Sequence, residues 1–154
     1  MTDKLKVLII DDHPLMRRGI KQLVELEEGF EVVGGAGNGS EGISLALQTS
    51  PDLIILDLNM KGLSGLDTLK ALRSEGVDAR IVILTVSDAR SDIFTLIDAG
   101  ADGYLLKDTE PDTLLSQLKR IAQGEVILSD SIKDLLIERQ SSQEPIYSLT
   151  DREM

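Results

Sequence analysis

Asp57 ends the apolar run Leu53-Ile54-Ile55-Leu56, and the residues able to act with it stand at the ends of three similar runs. Asp11 and Asp12 follow VLII, Thr85 follows IVIL, and Lys107 follows GYLL. Carboxylates, a hydroxyl and an ammonium collected at the ends of parallel strands describe a site for an anion bound together with a divalent metal. A carboxylate can act as nucleophile toward a phosphoryl group, with the metal and a lysine offsetting the charge that develops on the transferred oxygens. Two like charges about 4 Å apart repel by roughly 4 kcal/mol at an effective dielectric of about 20, so Asp11, Asp12 and Asp57 share a rim only if something neutralises them. Magnesium fits this need, because it prefers oxygen ligands, keeps several waters and uses one or two carboxylates plus a phosphate. Taken singly, each residue also reads as the polar end of a strand on a solvated rim. Four strand ends carrying this complementary set favour chemistry.

Short apolar runs alternate with amphipathic stretches of helical period, the pattern of a parallel sheet covered by helices on both faces. Strands are expected near 6–11, 31–36, 52–57, 80–86 and 102–106. A first helix starts at Pro14, with Met16, Ile20, Leu23 and Val24 on one face and Gly29 after its end. A second spans about 40–50 and stops at Pro51. A third carries Leu66, Leu69 and Leu72 before Gly76; a fourth carries Ile93, Ile97 and Ala101 around Gly100. The fifth is expected to begin at Thr109, spaced like a cap to Asp112, and to present Leu114, Leu118, Ile121 and Ala122.

The chain has 154 residues, enough for one domain of ordinary size and a short appendage, and its scarcity of aromatics makes the core aliphatic. A net charge of -11 and a pI near 4.5 point to proteins or cations as partners and away from nucleic acid and anionic membranes. The absence of cysteine removes disulfides and thiol chemistry and fits a reducing cytoplasm. The apolar run in MTDKLKVLIIDD is too short for a signal peptide, and nothing approaches a membrane span. After Gly124 the rhythm changes. An extended piece, EVILS, leads to an amphipathic helix from Asp130 to about Arg139 with Ile132, Leu135 and Leu136 on one side. SSQEP then reads as a flexible linker, and SLTDREM as a cap and a helix start.

LIIDDHP, LIILDLNMKGLSGLD, ILTVSD and GADGYLLKD are similar to the four signature stretches of response-regulator receiver domains, in that family's order and spacing, over residues 5 to about 127. The resemblance implies an α/β fold with a doubly wound, flavodoxin-like, five-stranded parallel sheet in the order 2-1-3-4-5, its crevice beside strands 1 and 3. It implies Asp57 as phosphoacceptor, Asp12 as a direct ligand of Mg2+ with Asp11 beside it, and Asn59 lending its backbone carbonyl. Thr85 and Lys107 would hold the phosphoryl oxygens, Thr85 and Tyr104 would switch, and Asn59 and Ser87 would tune dephosphorylation. Lys61 and Asp108 depart from the family pattern, standing where many receivers have proline. The longer match, with DDHPLMRRGIKQL and the tail SLTDRE, resembles the nitrate and nitrite response regulators, which join a receiver to a quorum-regulator-type helix-turn-helix. On this reading residues 1–128 are the receiver, 129–147 a linker with a helix, and 148–154 the start of a truncated DNA-binding domain. The implied partners are a sensor histidine kinase, the chain's own DNA-binding domain and, on phosphorylation, a second copy. The resemblance also implies a receiver that catalyses only its own phosphorylation and dephosphorylation in the cytoplasm, and its charge predicts that it does not itself bind DNA.

Two enzyme-like readings compete. GNGSEG, residues 37–42, matches the dinucleotide fingerprint after a strand and before a helix, yet its strand falls at the sheet edge, away from the crevice. A haloacid-type phosphatase would share the aspartate nucleophile but would need an acid where Asn59 stands. His13, the single histidine, reads as a loop and helix-entry residue, Tyr104 as a half-buried strand aromatic, and Arg17 and Arg18 as a solvated helix face beside which receivers often dock their kinases.

Overall fold

A computed structural model describes residues 4–58, 60, 62, 64–85, 95, 98–107 and 109–124, together with the backbone of 127–128. Strands β1 (Leu5–Ile10), β2 (Phe30–Ala36), β3 (Leu53–Asp57), β4 (Arg80–Thr85), β5 (Gly103–Leu106) and β6 (Ile127–Leu128) form one parallel sheet in the order β2-β1-β3-β4-β5-β6. The expected five-strand order 2-1-3-4-5 is present. The extended piece after Gly124 adds a sixth strand of two residues at the β5 edge.

Helices α1 (Pro14–Glu25), α2 (Gly39–Thr49), α3 (Gly65–Ser74) and α4 (Pro111–Ala122) cover the sheet. Because successive strand residues point to opposite faces, every central strand supplies two layers at once. Leu8, Ile10, Ile54, Leu56, Ile81, Ile83 and Tyr104 meet Ala46 of α2 and Leu69 and Leu72 of α3 on one face. Val7, Ile9, Leu53, Ile55, Val82, Leu84 and Leu105 meet Ile20 and Val24 of α1 and Leu114, Leu118 and Ile121 of α4 on the other. Burial on both sides explains why these strands read as unbroken apolar runs.

The helix ends follow local chemistry. Pro14 and Pro111 open α1 and α4, where a missing N–H costs nothing. The expected cap at Thr109 is not formed: α4 begins at Pro111 and the Thr109 hydroxyl donates to the carbonyl of Leu106 at 2.7 Å. At the end of α3, Gly76 (φ 82°) lets its own N–H reach the carbonyl of Arg73 and that of Val77 reach Leu72, each at 3.1 Å, a Schellman ending. Of the expected helix through Ile93 and Ile97, one turn is described, Ala99 N–H donating to Thr95 O at 3.0 Å; Ile93 and Ile97 themselves lie outside the described residues. So do Lys61, Asp108, the expected helix of 130–139, the linker and the helix start of 148–154.

Candidate functional site

The sheet register brings the sequence-predicted residues to one rim. Ile10 pairs with Leu56, so Asp11 and Asp57 occupy the next rung, and the Asp11 N–H extends the ladder by donating to Ala36 O at 3.0 Å. Asp57 is the last residue of β3 and lies opposite Leu84, which puts Thr85 one residue farther along β4. Thr85 pairs with Leu106, and the N–H of Lys107 donates to Thr85 O at 2.7 Å. Parallel strands in register end at the same level, so four of the sequence-predicted residues, separated by up to 96 positions, converge.

At this rim the acids are sunk. Asp11 is 1% exposed and Asp57 2%. The ammonium of Lys107, itself only 10% exposed, lies 3.2 Å from Asp57 Oδ1 and 3.3 Å from Asp11 Oδ2. Burying two carboxylates together is costly unless a charge is shared between them, and Lys107 bridges both. Asp12 completes the cluster. Three formal negative charges against one lysine leave the rim short of positive charge, the condition that attracts a divalent cation. Oxygen donors dominate the set: Asp11, Asp12 and Asp57 offer carboxylate oxygens that, with His13, all lie within 4.8 Å of one another. This donor chemistry suits Mg2+.

His13, expected at the helix entry, is the N-cap of α1, and its place in the sequence alone does not fix where its ring goes. Its Nδ1 lies 3.0 Å from Asp12 Oδ1, 3.3 Å from Asp11 Oδ1 and 4.0 Å from Asp57 Oδ2, while the side chain stays 67% exposed. Its backbone N–H donates to Asp11 Oδ1 at 2.8 Å and fixes that carboxylate's rotamer. The signal was adjacency to the acid pair. Arg17 corrects the solvated-face reading: its Nη1 donates to the Asp11 carbonyl at 2.7 Å, and its stem lies over Gly35, where a Cβ would stand 3.3 Å from it. Four residues beyond His13 on the same helix, Arg17 faces back toward the loop it holds.

Gly65 was also missed. It opens α3 so close to the end of β3 that a Cβ there would stand 2.7 Å from the carbonyl oxygen of Asp57 and 2.6 Å from Leu58 Cα. Ser64 caps the helix by accepting from Asp67 N–H at 3.1 Å. Tyr104 is fully buried on the face shared with α2 and α3, deeper than the half-buried strand aromatic expected. Asn59 and Ser87 lie outside the described residues.

The glycine-rich segment 37–42 has a local explanation. Asn38 Oδ1 accepts from Glu41 N–H and Glu41 Oε1 accepts from Gly37 N–H, each at 2.8 Å, so the helix start is capped by its own side chains. At Gly42 a Cβ would stand 2.5 Å from Ile10 Cδ1, so this glycine serves helix-on-strand packing. Its strand, β2, is at the sheet edge, and the dinucleotide reading loses its support.

Comparison with known proteins shows the family and the fold. The family model described as the response regulator receiver domain matches residues 7–119. The chain is 80% identical over its whole length to a nitrate/nitrite response regulator protein homolog of Haemophilus influenzae, covering 74% of that protein. It is 55% identical over 152 residues to the nitrate/nitrite response regulator protein NarP of Escherichia coli, covering 97% of this chain and 71% of that one. The crystal structure of a LuxR-family two-component response regulator from Aurantimonas sp. SI85-9A1 superimposes with a TM-score of 0.84 at 29% identity, covering 90% of this chain and 99% of the other.

Proposed function

Because the chain belongs to the response regulator receiver domain family, we propose that it accepts a phosphoryl group on Asp57 from a phosphorylated histidine of a sensor kinase. The observation that carries this reading is the Lys107 ammonium held between the buried carboxylates of Asp57 and Asp11 at the end of the sheet. A carboxylate oxygen of Asp57 forms the new O–P bond as the P–N bond to the donor imidazole breaks, and the departing imidazole keeps the electron pair and takes up a proton. Lys107 orients the Asp57 carboxylate beforehand and meets the charge that develops on the phosphoryl oxygens. Thr85 donates a hydrogen bond to the same oxygens. Mg2+, held by Asp12 and Asp57 with Asp11 beside them and by the carbonyl of Asn59, would neutralise both the acid cluster and the incoming phosphate. Asn59 and Ser87 flank the path of the water that later removes the group and tune its lifetime.

The output is a change of packing that reaches the rest of the protein. Residues 1–128 act as the receiver, 129–147 as the linker and 148–154 as the start of a helix-turn-helix domain. Phosphorylation frees that DNA-binding half or favours a dimer, and the printed names of the relatives point to nitrate or nitrite as the signal. The protein works in the cytoplasm; no helix among the described residues is long and apolar enough to cross a membrane. Neither the haloacid-type phosphatase reading nor the dinucleotide one is supported by the comparisons.

Mass spectrometry after incubation with acetyl phosphate and magnesium tests the proposal directly. One phosphoryl group is expected, absent in Asp57→Asn and absent after chelation; labelling of the variant, or labelling indifferent to chelation, would overturn the assignment.

A further inference from the structure

Arg73, in the last turn of α3, uses every donor it has. A guanidinium carries five N–H groups in a rigid fork. Here Nε and Nη2 donate to Gly100 O at 3.2 and 2.8 Å, Nη1 donates to Val77 O and Ala79 O at 2.9 Å each, and Nη2 also donates to Asp102 Oδ2 at 2.8 Å. The two segments so joined are the ones that enter β4 and β5. Asp102 extends the clamp: the same Oδ2 accepts from Ile81 N–H at 2.9 Å, its own N–H donates to Ile81 O at 2.8 Å, and Arg80 Nη1 lies 3.4 Å from Oδ1. Gly100 has φ 110°, and a Cβ there would stand 3.2 Å from Arg73 Nε, so a side chain would strain the backbone and press on the guanidinium.

This clamp sits just below the first rung of the β4–β5 pair, Val82 with Gly103, whose last rung is Thr85 with Leu106. β4 ends in Thr85 and β5 leads into Lys107, and between the clamp and that rim both strands are mostly apolar, with Val82, Ile83 and Leu84 on β4 and Leu105 and Leu106 on β5. The level at which the hydroxyl and the ammonium stand against Asp57 is therefore set by how the two strands are pinned at their bases. We propose that Arg73 is a positioning residue of the phosphoryl site, acting through the β4–β5 register to hold Thr85 and Lys107 at the height of Asp57. This rests on reading those two residues as the phosphoryl contacts.

The experiment compares wild type, Arg73→Gln, Arg73→Lys and Val24→Ala, the last a core truncation on α1 at the other face of the sheet. Each is assayed as the 154-residue chain at a temperature where circular dichroism shows it folded. Arg73→Gln is expected to remain labelled by acetyl phosphate on Asp57, but at a rate at least threefold lower, with displaced amide resonances at Thr85 and Lys107. Arg73→Lys, whose donors sit on one atom, should not restore the rate. Val24→Ala should keep both the rate and the resonances even where its melting temperature falls as far. Should Arg73→Gln fail to fold, Asp102→Asn reports on the same clamp, with the same loss of rate expected. A clamp variant that labels like Val24→Ala overturns this inference alone; a wild type that is never labelled overturns the functional reading and this inference together.

Discussion

At the scale of residues, the site is a charge problem that the chain solves only in part. Asp11 and Asp57 are buried and share Lys107, and Asp12 lies beside them with the exposed ring of His13. A cation that binds the folded cluster and not the unfolded chain stabilises by RT ln(1 + [L]/Kd), about 2.7 kcal/mol at a hundredfold excess over Kd. For a chain of this size that corresponds to a rise in melting temperature of roughly 5–10 °C. Magnesium is expected to produce a shift of this order in a thermal scan, and Asp12→Ala to remove most of it. An equal shift in the variant would place the ion elsewhere. The acid pair, the acceptor and the lysine were legible in the sequence because each follows an apolar run. His13 was legible only as a neighbour, since the direction of its ring depends on how α1 leaves the loop.

At the scale of elements, close approach decides what the site can tolerate. α3 begins at Gly65 against the backbone of Asp57 and Leu58, where an added methyl group would meet carbonyl and Cα atoms closer than van der Waals contact allows. Backbone cannot rotate away as a side-chain tip can. Gly65→Ala is therefore expected to cost about 1–3 kcal/mol in denaturant unfolding, in the range of overpacked cores, and to disturb the acceptor geometry as well. Adding Ala at Gly62, which has φ 75° but nothing within 4 Å of its Cβ position, would strain only the backbone and leave Asp57 in place. Comparing phosphorylation in the two variants at equal folded fraction checks this: similar labelling would show that α3 does not constrain the acceptor.

At the scale of the molecule, the proposed switch needs two packings close in energy. Tyr104 is fully buried in the layer with Ile83, Leu56 and the α3 leucines, on the strand that runs between Thr85 and the short edge strand β6. If Thr85 moves toward a phosphoryl group, the space it leaves is open to Tyr104. Moving such an equilibrium from 1:99 to 99:1 requires a preference of about 5.5 kcal/mol, within reach of a charge-assisted lysine contact, a hydroxyl contact and the metal acting together. Beryllium fluoride, which mimics the phosphoryl group, is expected to shift amide resonances at Tyr104 and Gly103 and at the β6 residues paired with them, as well as at the rim. Changes confined to the surroundings of Asp57 would sink the mechanism.

The order of the elements, the five-strand sheet and the collection of Asp11, Asp12, Asp57, Thr85 and Lys107 at one rim were determined by the sequence alone. Apolar runs of strand length separated by helical stretches admit a parallel sheet, and in a parallel sheet every strand ends on the same side. Tertiary structure decided what lies between elements: the ring of His13 among the acids, the reach of Arg17 to the Asp11 carbonyl, the seating of Gly65 on Asp57, and the pairing of β6 with β5. Arg73 shows the reason most plainly. Three of its four acceptor residues, Val77, Ala79 and Gly100, offer backbone carbonyls that carry no side-chain signal, and Gly100 stands 27 positions away. Periodicity marks Arg73 only as a basic residue near a helix end; only the packed chain brings those carbonyls within its reach.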